Sequence, residues 1–453
     1  MAVLAQLLDS AGKEVAGSDV EEDFITQQIL EEIGVAIDVG FEPELPATTD
    51  CVIYTAAHQG PDNPQVMAAQ QQGLPVFSHA EALGLLFNQK KGIAVCGVGG
   101  KTTTSAMLAW IFEKTNREIA YAVGVPEIIG LDQAGKWSAK SQYFIAEADE
   151  YVTDPNAAKN KQEITPRFSF LKPHIVIAKK ILWDHPDVYQ DYDHTLTVFN
   201  QFFSQIDNNG TLILPISERP KVSHSSSQDI WDYGPAKATF IIEFDEKNTT
   251  GGKTIGYLTE PVTQQKHKVE LSIPGAYNFD NAVAAILGAY AAEIPIRESV
   301  AALASFKSTK RRFEAIGEKN GIKFYDDYAH HPMEVASVIA ALKQWFPKQK
   351  KVIVFQPHTY SRTKELFADF VAALSQADEL ILSEIFASAR ETADPSVSTA
   401  TLAQAIRANN PNLTVHEASD VSDTAKAMKS VLNSGDICLT LGAGDIYKVH
   451  KMI

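Results

Sequence analysis

Residues 97–104 read Gly97-Val98-Gly99-Gly100-Lys101-Thr102-Thr103-Thr104. Glycines let backbone N–H groups converge on an anion, and a helix N-terminus after them adds partial positive charge. In such a turn Lys101 can reach β- and γ-phosphates, and the Thr102 hydroxyl can meet Mg²⁺. The strict pattern G-x-x-x-x-G-K-[ST] is not met, because Val95 stands at its first glycine. What remains is the shorter G-x-x-G-K-T, which points to phosphate but names no reaction.

Further clusters carry acid–base and anion chemistry. Glu147-Ala148-Asp149-Glu150 closes an apolar run, and its carboxylates are candidates for Mg²⁺; a solvated acidic strand end is the alternative. His185 lies between Asp184 and Asp187 in WDHPDVY, as a hard-metal or substrate site or an exposed loop histidine. Asn278 and Asn281 fall at i and i+3 on one helix face. They offer amides to a purine, or Asn278 caps the helix. Arg311 and Arg312 precede a strand that delivers Asp326, Asp327, His330 and His331 into a turn, and Pro332 can open the next helix. Charge so crowded is costly to bury unless paired. His358 and Arg362 in FQPHTYSRT, and Arg390 in ASARET, also follow strands. These cationic groups at strand ends suggest a cleft for anions in the last third of the chain.

Periodicity predicts the elements that position them. GIAVC reads as a buried strand, and Thr104 to Lys114 as a helix with Met107, Leu108, Ile111 and Phe112 on its face. YFIAEADE and HIVIAKK read as strands, followed by strands in ATFIIEFDE, KTIGYLTE and HKVELSI, then an alanine-rich helix after Pro274-Gly275. Residues 217–229 read as a polar loop. Before the glycine turn, AVLAQLLDSAG reads as a helix, EVAGSD as a strand ending in a Gly-Ser-Asp turn, and CVIYTAA and LPVF as strands. Alternation of this kind implies a parallel sheet. IKFYDDYA, KVIVFQPH, ELILSEIF and DICLTLGAG begin a third alternation. The expected fold is α/β, three units in series: 1–90, 91–306 and 307–453. Ligands in such sheets sit at strand carboxyl ends, where the polar clusters fall.

The chain of 453 residues is long enough for about three domains. Its net charge of −16 argues against a nucleic-acid partner. Cys51, Cys96 and Cys438 are far apart and suggest a reducing compartment, the cytoplasm. No apolar run approaches about 18 residues, so no membrane span is expected.

Taken together, GVGGKTTT, EADE, the Asp-His of WDHPDVY, N-x-x-N in YNFDNA, RRFE, DDYAHHP, FQPHTYSRT, SARE and LTLGAGDIYK resemble the Mur ligase family along nearly the whole chain. The resemblance implies a UDP-binding Rossmann-like domain, a central P-loop ATPase domain and a C-terminal Rossmann-like domain that receives the amino acid. It implies ATP-dependent joining of L-alanine to UDP-N-acetylmuramate through an acyl phosphate, with Mg²⁺, in a monomer or homodimer. Gly97, Gly99, Gly100, Lys101, Thr102 and Thr103 would hold the phosphates, and Asn278, Asn281 and Arg312 the rest of the nucleotide. Thr102, Glu147 and His185 would hold metal. Lys101, Asp327, His330 and Arg362 would serve the reaction, while Ser18, Asp19, His358, Arg362 and Arg390 would meet substrates. Two other readings are a ligase that recycles murein tripeptide and a nucleotide-binding protein without ligase activity.

Several positions depart from the family pattern. Gly97-Val98-Gly99-Gly100 replaces the Gly-Thr-His-Gly usual in alanine-adding members, Lys180 stands where Asn is usual, and Tyr151 follows EADE as in the tripeptide ligase. The chain opens at the first helix, without the strand and glycine turn expected before it, so about 15–20 further residues are expected upstream.

Overall fold

A computed structural model describes residues 1–453 except 22–25, 155, 156, 158, 159, 161, 186, 224–227 and 388–392. The chain forms two compact units. The first comprises 1–243, 256–269 and 280–306, and the second 244–255, 270–279 and 307–453.

In the first unit the helix Ala2–Ser10 buries Leu4 and Leu7, and its Gln6 Oε1 accepts the Ala134 and Gly135 N–H groups. Strands β1 (Ala16–Asp19) and β2 (Ala36–Val39) pair in parallel, as do β3 (Val52–Tyr54) and β4 (Val76–Ser78). These are two separate two-stranded sheets, not one. Gly17, Ser18 and Asp19 lie inside β1 rather than in a turn, because Ala36–Val39, passed over in the sequence, offers them a partner in register. The chain turns only beyond Asp19, whose carboxylate accepts the Val20 N–H.

A large sheet follows, built from β5 (Lys91–Cys96), β6 (Ala120–Ala122), β7 (Gly135–Lys136), β8 (Tyr143–Glu147), β9 (Pro173–Ala178), β10 (Thr211–Pro215), β11 (Asp229–Gly234), β12 (Phe240–Phe244), β13 (Thr254–Thr259) and β14 (Lys266–Leu271). Its order is β14-β13-β12-β11-β10-β9-β5-β8-β6-β7. β5 sits between β9 and β8, parallel to both. Ile93 to Cys96 are wholly buried, as a strand covered on both faces requires. This order brings three carboxyl ends side by side, and with them the glycine turn, the EADE segment and the Lys179–His185 loop. Backbone bonds stitch the ends together: Ala148 N–H to Val95 O (2.8 Å), Lys179 N–H to Cys96 O (2.9 Å) and Val98 N–H to Lys180 O (2.7 Å). The expected loop at 217–229 holds a short 3-10 turn at Arg219–Lys221 and meets β11 at Asp229; residues 224–227 lie outside the described residues.

The second unit carries a six-stranded sheet of β15 (Glu314–Lys319), β16 (Ile322–Asp327), β17 (Lys351–Phe355), β18 (Glu379–Leu382), β19 (Thr414–Glu417) and β20 (Ile437–Leu441). The order is β15-β16-β20-β17-β18-β19, parallel except for the β15–β16 hairpin. Asn320 and Gly321 both take positive φ, 54° and 76°, the conformation a tight two-residue hairpin needs. Val335, Ile339 and Leu342 of the helix Pro332–Trp345 pack on Ile353, Phe355 and Leu439 of the sheet. Among the described residues no helix is long and apolar enough to cross a membrane.

Candidate active site

The glycine turn links β5 to the helix Lys101–Lys114, which begins three residues before the predicted Thr104. Gly97, Gly99 and Gly100 have φ of 93°, 77° and 83°, where a side chain is strained. A Cβ on Gly97 would stand 2.9 Å from Lys180 O, and one on Gly100 2.2 Å from Asn281 Oδ1. Backbone on one side and a buried amide on the other therefore fix the shape of the turn. Thr102, Thr103 and Thr104 are buried in the first helical turn, and the Thr104 hydroxyl donates to Asn281 Oδ1 at 3.4 Å.

The Thr102 hydroxyl donates to Glu147 Oε2 (3.0 Å), and Glu147 Oε1 accepts the Gly124 N–H (2.6 Å). Lys101 Nζ donates to both carboxylate oxygens of the buried Glu150, at 3.1 and 3.0 Å. Burial disfavours the Lys101 charge, but the Glu150 and Asp149 carboxylates overcome it and hold the pKa above the usual lysine value. Burial likewise opposes the Glu150 charge, and Lys101 and His185 prevail, holding its pKa well below the carboxylate range. His185 Nε2 lies 3.7 Å from Glu150 and 3.9 Å from Asp184. Burial works against the imidazolium, yet Glu150, Asp184 and Asp149 raise its pKa.

Asp149, Glu150 and His185 bring ligand atoms within 4.8 Å of one another, a group able to hold a cation. Two of the three donors are carboxylates, which suits a hard divalent ion. Asp149 also pairs with Arg167 at 2.8 Å, and Tyr151 meets His185 edge-on. Asp149 and Glu150 are among the EADE carboxylates expected as Mg²⁺ candidates, whereas the family resemblance singles out Glu147, which instead bonds Thr102. Nothing in the sequence marked a further set, in which the buried Lys179 pairs with the partly exposed Asp280 and the Tyr233 hydroxyl donates to the same Asp280 oxygen.

Asn278 and Asn281 are both buried on the helix Ala276–Ala291. Asn278 does not cap it; its Nδ2 donates back to Pro274 O at 2.8 Å. Ser18 and Asp19 lie on β1, where Asp19 is 3.4 Å from His58 Nε2.

In the second unit Arg311 is buried, bonded to Asp326 (3.1 Å) and to the carbonyls of Gly442 and Gly444. Arg311 and Phe313 sit at φ of 60° and 47°, a backbone cost of about 1–3 kcal/mol each. Asp326 and Asp327 offset it: Asp327 accepts the N–H groups of Phe313 (2.7 Å) and Ala329 (2.8 Å). Burial pushes the Asp327 pKa up to about 6 against Arg312 and these two donors. The Arg312 guanidinium lies over Tyr328 at 5.0 Å. His330 Nδ1 is 3.0 Å from Tyr328 O, and its ring is 5.9 Å from that of His358. His331 caps the helix that Pro332 opens. His358 stacks on Phe386, and Arg362 Nη1 lies 3.4 Å from its Nδ1. The structure thus gathers Arg312, Asp327, His330, His358 and Arg362 at the carboxyl ends of β16 and β17. Arg390 lies outside the described residues.

Three family models match: "Mur ligase family, catalytic domain" over residues 1–91, "Mur ligase middle domain" over 95–289 and "Mur ligase, glutamate ligase domain" over 311–444. The chain belongs to the Mur ligase family. The UDP-N-acetylmuramate–L-alanine ligase of Desulfitobacterium hafniense is 31% identical over 457 residues, spanning 100% of this chain and 96% of that protein. Among solved structures, UDP-N-acetylmuramate-alanine ligase MurC from Thermotoga maritima superposes with a TM-score of 0.80 at 21% identity, covering 100% of this chain and 95% of that one. MurF ligase from Thermotoga maritima, solved in complex with ADP, gives 0.66 at 15% identity, covering 91% and 96%. At these identities the two structures speak for the three-domain α/β fold alone.

Proposed function

We propose that this protein is an ATP-dependent ligase that joins L-alanine to UDP-N-acetylmuramate in the making of peptidoglycan precursor. The observation that carries the reading is full-length similarity to a relative of that name, together with a glycine turn that ends on Lys101 beside a carboxylate–histidine cluster. The chain would divide into a UDP-substrate part at 1–90, an ATP part at 91–306 and an amino-acid part at 307–453. Three free cysteines, far apart, support a cytoplasmic setting.

A carboxylate is a poor electrophile at neutral pH, so the reaction has two steps. A carboxylate oxygen of UDP-N-acetylmuramate attacks the γ-phosphorus of ATP, and ADP leaves. The amine of L-alanine then attacks the acyl carbon. The C–O bond to phosphate breaks, phosphate departs with that oxygen, and the amine proton passes to a base. The Gly97–Gly100 turn and Lys101 bind the phosphates, with Thr103 in the first helical turn. Thr102, Glu147 and His185 would hold Mg²⁺, with Asp149 and Glu150 beside them; the ion would neutralise phosphate charge when bound. By the family resemblance, Asn278, Asn281 and Arg312 would meet the nucleoside, and Ser18 and Asp19 the UDP substrate. Asp327 and His330 serve the reacting groups, with His358, Arg362 and Arg390 taking the amino-acid carboxylate or the charged intermediate.

The test is ADP release by the purified chain with ATP, Mg²⁺ and UDP-N-acetylmuramate, with L-alanine, with murein tripeptide or with neither. Release that requires L-alanine supports the proposal. Release that requires tripeptide would assign the recycling reaction, which Tyr151 after EADE favours. No release with either acceptor would leave a nucleotide-binding protein without ligase activity.

A further inference from the structure

The two lysines that follow β9 have opposite fates. Lys179 is buried and paired with Asp280, and Tyr233 shares the same carboxylate. Lys180 is exposed, and among the described residues its ammonium forms no ion pair. Successive side chains of an extended segment face opposite ways, so burying the first puts the second outward. The backbone between them is held from several sides. Lys179 N–H bonds Cys96 O, Lys180 O accepts the Val98 N–H, and Ile181 N–H bonds the buried Glu218 carboxylate at 3.1 Å. Lys180 therefore starts from a fixed point directly across a backbone bond from the second residue of the glycine turn.

The charges around that turn set the need. Glu147, Asp149, Glu150 and Asp184 surround it, Lys101 is matched to Glu150, and Arg167 is matched to Asp149. A triphosphate entering this group meets more carboxylates than uncommitted cations. A lysine on a flexible four-carbon stem is a compact charge suited to phosphate.

We propose that Lys180 is a phosphate-binding residue whose ammonium contacts the terminal phosphates of the nucleotide on the Gly97–Gly100 turn, with the buried Lys179, held by Asp280, as the anchor that sets its position. The inference rests on the ATP reading above. It gives this chain a second phosphate lysine where the family usually has a neutral amide.

The test is equilibrium binding of AMP-PNP and of AMP, with Mg²⁺, to the full chain and to its Lys180→Gln, Lys180→Arg and Lys101→Ala variants. A charge-assisted contact of this kind is worth about tenfold or more in affinity. Lys180→Gln should therefore weaken AMP-PNP about tenfold, leave AMP nearly unchanged and leave the melting temperature unmoved. Lys180→Arg should keep most of the affinity. AMP-PNP affinity of Lys180→Gln within about twofold of the parent would overturn the role of Lys180 and leave the ATP reading standing. Lys180→Arg falling as far as Lys180→Gln would also overturn it, because charge would then not be what binds. A parent chain that binds no AMP-PNP would overturn the ATP reading, and this inference with it.

Discussion

Lys101 and Glu150 show how a side chain can be legible while its setting is not. The motif marks Lys101 for phosphate, but only the fold shows that both Glu150 oxygens hold it. Removing one partner of a buried pair strands the other charge, at about 3–5 kcal/mol. Lys101→Ala should therefore lose stability as well as turnover, the latter by about a hundredfold or more. Lys101→Ala with Glu150→Gln should recover much of the stability in urea titrations and none of the turnover. Recovery of both would mean that Lys101 serves the fold alone. Asp327 makes a second residue-scale case. Its pKa is raised to about 6 by burial, so between roughly pH 4, near an unfolded aspartate, and pH 6 the folded state binds the extra proton. Stability from this group is present at the acid end and is lost as pH rises through that window. Asp327→Asn should lack this downward slope in urea midpoints measured across the window; an unchanged slope would assign it to another group. The raised pKa was not readable in DDYAHH, because burial is a property of the fold.

At the scale of elements, the sequence spelled out most, though not all, of what is apolar and buried. β5, β8, β9, β17, β18 and β20 fall on apolar runs, as parallel strands covered on both faces should. Other strands escaped: β2 is four residues with only Ile37 partly covered, β15 is polar, and β10, though buried and apolar, is a short run between polar segments. Asn320-Gly321 was the available sign of the β15–β16 hairpin. The glycine turn makes a sharper test. At Gly100 an added Cβ meets the Asn281 amide, whereas at Gly97 it meets the backbone of Lys179 and Lys180. A side chain can be cut back and a backbone cannot. Gly100→Ala and Gly97→Ala should each be destabilising, with roughly 1–2 kcal/mol from positive φ alone. Asn281→Ala should relieve part of the Gly100→Ala cost and none of the Gly97→Ala cost. Strict additivity of Gly100→Ala and Asn281→Ala in a double-mutant cycle would show that the contact does not shape the turn.

Across the whole molecule, the order of motifs along the chain was readable because most of them follow a strand, and parallel sheets collect strand ends at one edge. What stayed hidden was which strands would be neighbours. The placing of β5 between β9 and β8 is what brings Lys101, Glu150 and His185 together. On the proposed reading, a chain of net charge −16 would bind a triphosphate and a UDP-sugar through such local sites rather than through its overall charge. The most direct test of the ligase follows one oxygen. UDP-N-acetylmuramate labelled with ¹⁸O in its carboxylate is incubated with the purified chain, ATP, Mg²⁺ and L-alanine, and the released phosphate is weighed by mass spectrometry. The acyl-phosphate route predicts one ¹⁸O in each phosphate, formed together with ADP and the L-alanyl product. Unlabelled phosphate, or no phosphate in the presence of all three substrates, would contradict it.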